Sequence, residues 1–103
     1  MDNNFLQQLL FSHKVYGEIK FLIPDKNQVG YWTARSFIAD NGDLKFKVSD
    51  RHGHSKIVWL NRSGELVFDR VNLPKYVKDG LADRVFTYRK SFECVKVHSY
   101  LNH

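Results

Sequence analysis

The chain has a single cysteine, Cys94, in 103 residues, so no intrachain disulfide is possible and a reducing compartment is expected. It has two prolines, Pro24 and Pro74, which leaves most of the backbone free to enter regular structure. Long apolar runs are also missing. The longest are Phe21-Leu22-Ile23 and Ile57-Val58-Trp59-Leu60, far short of the roughly 20 residues a bilayer span needs. No basic segment precedes an apolar stretch at the start, Met1-Asp2-Asn3-Asn4, so export is not expected and a cytoplasmic location is. The catalytic patterns GxSxG, HExxH, the P-loop and GxGxxG do not occur either. The acidic residues are scattered apart from Asp40 and Asp43, which a turn explains. The reading is therefore a protein that is not an enzyme.

What is present suffices for one small domain, residues 1–103. Apolar residues make up 43%, aromatics 15% and charged residues 26% of the chain, enough to bury one modest core. Sixteen Lys and Arg oppose eleven Asp and Glu, a net charge of +5.

Asn4 with Gln7 three residues on, followed by Phe5, Leu6, Leu9 and Leu10 at helical spacing, predicts a short helix over about 4–12. Three segments then share one pattern: Gly17-Glu18-Ile19-Lys20-Phe21, Gly42-Asp43-Leu44-Lys45-Phe46 and Gly64-Glu65-Leu66-Val67-Phe68. In each, a glycine ends a turn and residues two apart point to one side, so each predicts the opening of a strand. Read as a two-residue hairpin turn, Asn41-Gly42 sets Ala39 opposite Leu44, Phe37 opposite Phe46 and Arg35 opposite Val48 on a core face. The same register puts Ile38, Ser36 and Trp32 opposite Lys45, Lys47 and Arg51 on a solvated or ligand-facing side. A second hairpin through Asn61-Arg62-Ser63-Gly64 pairs Leu60 with Leu66 and Val58 with Phe68, leaving Ile57, Trp59 and Val67 on the reverse. Both of its faces are apolar, which predicts a central position with its second side covered.

Beyond Leu73-Pro74, the residues Val77, Leu81, Val85, Tyr88, Phe92 and Val95 form a helical stripe, and a helix is expected over about 75–91. The β-branched residues that follow predict an extended segment around 93–98. The fold class expected is α+β: a short N-terminal helix, an antiparallel β-meander of four to five strands, and a C-terminal helix packed on the sheet. The stretch from Ser63-Gly64-Glu65-Leu66-Val67-Phe68 through Gly80-Leu81-Ala82 to Val85 loosely resembles one unit of the WG β-repeat family. It lacks that family's Trp-Gly dipeptide and spans barely a quarter of the chain, so no fold or function is carried over.

Asp50-Arg51-His52-Gly53-His54 is the densest polar cluster. His52 and His54 have a spacing two metal ligands can use, but no further ligand is placed and a polar turn accounts for the composition, so neither metal nor cofactor is expected. Cys94 beside Phe92, Val95 and Val97 reads as a small core residue. The remaining lead is basic. Lys45, Lys47 and Arg51 with Trp32 combine phosphate attraction with a stacking platform, and Arg84, Arg89 and Lys90 form a second cluster. The expected function is a non-catalytic basic binding module that contacts nucleic acid or a nucleoprotein. The alternative is an inhibitor or adaptor that engages an acidic protein through exposed aromatics, drawn from Trp32, Tyr31, Tyr76, Tyr88 and Tyr100. Lysines placed only for solubility are the plain reading of the same charges.

Overall fold

Alternation of apolar and polar residues along successive short strands gives a sheet with one oily face, which something must cover. The computed structural model describes the backbone of residues 3–27 and 29–101, and the side chains of residues 5–27 and 29–91. Its elements are α1 (Asn3–Tyr16), β1 (Lys20–Pro24), β2 (Tyr31–Ile38), β3 (Leu44–Ser49), β4 (Ser55–Leu60), β5 (Leu66–Val67) and α2 (Lys75–Leu101). The strands form one antiparallel meander in the order β1-β2-β3-β4-β5, so the α+β class holds.

One sheet face is the core. It presents Ile23, Ala34, Leu44, Phe46, Val48, Val58 and Leu60, all buried. Phe5 and Leu9 of α1, and Val77, Leu81 and Val85 of α2, complete the interior. Their spacings of four put each set on one helical stripe. Because both helices use the same sheet face, no helix among the described residues lies over the other face. Gly80 lies inside α2 despite its poor helix propensity, because a Cβ there would come 2.9 Å from Ile23 Cγ2. The gap lets the helix approach β1 closely.

Polar pins orient these layers. The Ile19 N–H donates to Ser36 Oγ at 2.7 Å, and His13 Nδ1 sits 2.7 Å from the same oxygen. Ser12, also buried, lies 2.6 Å from the Tyr88 hydroxyl. With these bonds the buried hydroxyls of Ser12 and Ser36 are satisfied, as burial requires.

Beyond the longer reach of α1, which runs from Asn3 to Tyr16 where about 4–12 was expected and so takes Asn4 inside the helix, the sequence reading is corrected at three places. First, Asn41-Gly42 does not make a two-residue turn. Ala39 pairs with Asp43 (Ala39 N–H to Asp43 C=O 2.8 Å, Gly42 N–H to Ala39 C=O 2.9 Å) around a three-residue loop. A two-residue turn of the predicted type needs φ above zero at both central residues. Only Gly42 has it, at +89°. The register becomes Ile38↔Leu44, Ser36↔Phe46, Arg35↔Lys47 and Ala34↔Val48. One residue of slip moves β2's side chains to the opposite face. Second, the hairpin between β4 and β5 has the expected Leu60↔Leu66 pair, but its ladder ends at Trp59↔Val67 and does not reach the expected Val58 and Phe68; it also lies at the sheet edge, and its reverse side is open. Third, the extended segment expected around 93–98 is helical, since α2 runs to Leu101. The stripe through Val77, Leu81 and Val85 keeps its helical phase there, and the β preference of Val95 and Val97, a few tenths of a kcal/mol each, is too small to stop a propagating helix. The expected environment of Cys94 lies outside the described side chains.

The same three-residue bend occurs three times, with Gly42, Gly53 and Gly64 at positive φ. In the second, Asp50 Oδ1 accepts from the N–H groups of His52 and His54, both at 2.9 Å. In the third, Asn61 Oδ1 accepts from Ser63 and Glu65 in the same way. Desolvation raises the Asp50 carboxyl, but the His54 and His52 N–H groups, then the His54 ring, outweigh it and hold the group below its ordinary value. A depressed carboxylate contributes stability that is present above its unfolded value, 3.8, and is lost as pH falls through the folded value. Asp50→Asn keeps the acceptor that Asn61 uses at the matching position. The variant is expected to unfold in urea at a slightly lower midpoint than the parent at pH 7, where it lacks the ionised acceptor, and to lose less of its stability on acidification to pH 3. An equal loss in the two proteins would show that Asp50 ionisation does not matter.

Candidate nucleic-acid interface

Strand parity decides which side chains reach the uncovered face. Cross-strand pairing arranges them in rows. Phe37, Lys45, Trp59 and Val67 form one row, and Lys20, Arg35, Lys47 and Ile57 form the next. Leu22, Thr33, Ser49 and Ser55 form a third, and Tyr31 follows at the start of β2. Directly opposed side chains have Cβ atoms about 5 Å apart, so Arg35 stands between Lys20 and Lys47, and Lys45 lies diagonally from Arg35 beside Lys47, which makes one continuous basic patch. Glu18, with Oε1 3.9 Å from Arg35 Nε, is an acidic group that offsets them.

Aromatics stand at opposite corners of this basic patch. Trp59 is 47% exposed and Tyr31 is 54% exposed, with Ile57 and Leu22 also open. Trp59 also borders a cleft of about 440 Å³ that opens towards α1 and the core side of the sheet, lined by Leu6, Leu10, Asp43, Leu44, Leu60 and Arg62 among others. At the other end, Arg51 lies in the exposed loop between β3 and β4. Its Cβ would be 3.8 Å from a Cβ built on Gly30, which puts it beside the start of β2.

Lys45 and Lys47 share the open face, as expected, and Arg51 lies at its end. Trp32 does not join them. The register slip turns it inward against the core, where its Nε1–H donates to the Tyr76 hydroxyl at 2.9 Å. Arg35 and Phe37 move the other way, from the expected core to the open face. The second basic cluster is dispersed on α2, behind the sheet. Arg84 Nε donates to the Leu22 carbonyl at 2.7 Å and its Nη1 to the Gly80 carbonyl at 3.1 Å, pinning α2 to the edge strand. Arg89 sits over the Phe5 ring and Lys90 over the Phe86 ring, each 5.4 Å from the centroid. Of the aromatic anchors considered, Tyr76 and Tyr88 are half-buried and hydrogen-bonded, and the Tyr100 side chain lies outside the described residues.

Sequence reasoning missed Trp59, Tyr31, Lys20 and Arg35 as members of this face. A usable signal existed. Gly42, Gly53 and Gly64 recur every 11 residues, which points to one bend repeated with one loop length rather than to an isolated Asn-Gly turn. His52 and His54, with ring centroids 6.3 Å apart, gain no third ligand, and the described residues hold no group of three His, Cys, Asp or Glu able to bind a metal. No helix among the described residues is long and apolar enough to cross a membrane. Comparisons with protein families, curated proteins and solved structures return no match. The geometry of this face is therefore the ground for function.

Proposed function

We propose that the protein is a non-catalytic module that binds single-stranded nucleic acid on the open face of its sheet. The observation that carries this reading is the patch of Lys20, Arg35, Lys45 and Lys47 flanked by Trp59 on a face that no helix among the described residues covers. Ammonium and guanidinium groups attract phosphates and release condensed counterions, and an exposed indole offers a π-face to any base. The binding is sequence-tolerant, since stacking and phosphate contacts carry it, and the hydroxyls of Thr33, Ser49 and Ser55 on this face can each donate to or accept from any base. Docking of an acidic protein draws on the same cations and on Tyr31, and it predicts no stacking on Trp59.

Fluorescence anisotropy with labelled oligothymidine, measured from 20 to 300 mM salt, is the test. Binding is expected with a negative log–log salt slope. Lys45→Glu combined with Lys47→Glu is expected to weaken it by about 25-fold at 0.1 M salt from lost counterion release alone, more with repulsion. The melting temperature should barely change, because both side chains lie on the face away from the core. No binding at the lowest salt removes the proposal.

A further inference from the structure

The open face has a direction and a length as well as a charge. Trp59 pairs with Lys45, and Lys45 with Phe37, so Trp59 and Tyr31 are two strands apart sideways and 37 − 31 = 6 residues apart lengthwise. At about 4.8 Å between strands and about 3.3 Å per residue, the two rings are separated by roughly 22 Å along a diagonal. Lys45 lies beside the Trp59 corner, Lys47 and Arg35 lie midway, and Arg51 stands at the Tyr31 corner.

We infer that this diagonal is the path of one extended strand of about four to five nucleotides, with a base stacked on Trp59 at one end and another on Tyr31 at the other. The inference rests on the reading of the face as a single-strand site and adds its path, length and end points. Two platforms some 22 Å apart match a backbone drawn out to about twice the 3.4 Å rise of a stacked strand. A duplex cannot satisfy them, because its bases are stacked on one another and offer no free face between the ends. Four cations along the path imply four phosphate contacts, hence a salt slope of about −3 for a single strand. The indole of Trp59 offers a larger stacking surface than the phenol of Tyr31, so Trp59 is the stronger anchor and Tyr31 the weaker one.

The experiment is a length series of labelled oligothymidines from two to eight nucleotides at 50 mM salt, with the parent, Trp59→Ala and Tyr31→Ala. Affinity is expected to climb steeply to four or five nucleotides and then only weakly. Each alanine variant should lose roughly 5- to 150-fold on the five-nucleotide probe, the usual effect of removing one stacked base. On a two-nucleotide probe, which reaches one platform, Tyr31→Ala should bind like the parent while Trp59→Ala still binds less. Both rings are exposed, so a circular dichroism melt should show the variants folded. Affinity that saturates at two nucleotides, or unchanged binding of the five-nucleotide probe by Tyr31→Ala, overturns the diagonal path while leaving single-strand binding intact. Absence of binding at every length overturns both.

Discussion

Replacing Phe46 with alanine is expected to lower stability by about 3–5 kcal/mol, the usual range for deleting a buried aromatic ring. Phe46 is 0% exposed and is the largest fully buried side chain in the core. It lies on β3, the middle strand, paired with Ser36 on one side and Val58 on the other. Its ring also packs on Phe21, with centroids 5.9 Å apart. A central strand held on both edges cannot sink into the vacated volume, so the cavity term stays near its full value. A domain of this size has about 5–15 kcal/mol in total, and each kcal/mol shifts Tm by roughly 4–8 °C. A fall in Tm of more than about 12 °C in a calorimetric scan is therefore expected. A fall of only a few degrees would mean that the α1 and α2 layers close over the gap and that the core is far softer than its packing indicates.

Gly64→Ala is the second large effect, and the molecule supplies its own controls. Gly42, Gly53 and Gly64 occupy the same place in three like bends, with φ of +89°, +87° and +79°. A Cβ on Gly42 or Gly53 meets nothing within 4 Å, whereas one on Gly64 falls 2.7 Å from Phe5 Cδ2 and 3.5 Å from the Leu6 nitrogen. Gly42→Ala and Gly53→Ala should each cost only the left-handed backbone penalty, about 1–2 kcal/mol. At Gly64 the buried Phe5 ring must also move, and overpacking adds about 1–3 kcal/mol. Urea denaturation of the three variants should place Gly64→Ala clearly below the other two. Three equal midpoints would show that α1 yields freely at its first turn, and that Phe5 does not fix the helix on the sheet.

Local chemistry made much of the fold legible. The N-terminal helix, the three glycine-led strand openings and the Leu60↔Leu66 pairing follow from helical periodicity, positive φ and alternation, which act over a few residues. The candidate site was legible only in kind. A cationic sheet face with an indole was expected, and such a face exists, but Trp59 rather than Trp32 stands on it. The cause is one residue of register at residues 39–43, because strand side chains alternate with a period of two and each slip exchanges the faces. Asn41-Gly42 suits both a two-residue turn and the last two positions of a three-residue loop, so the dipeptide alone does not choose. Whether the reverse side of Ile57 and Trp59 is covered was equally undetermined, since both faces of that hairpin are apolar in sequence.

Length, charge, the scarcity of cysteine and proline, and the placing of apolar residues were sufficient for a basic α+β fold with an antiparallel meander. Those properties act along the chain and need no knowledge of what lies across it. Tertiary structure alone decided that both helices press on one face, that Arg84 and Arg89 are spent on holding α2 in place, and that four cations and three aromatic rings, Phe37, Trp59 and Tyr31, remain on the other side. Helix docking and strand register are set by which oily surfaces meet, as Gly80 against Ile23 and Ser36 against His13 show, and such meetings between distant residues leave no local mark in the sequence.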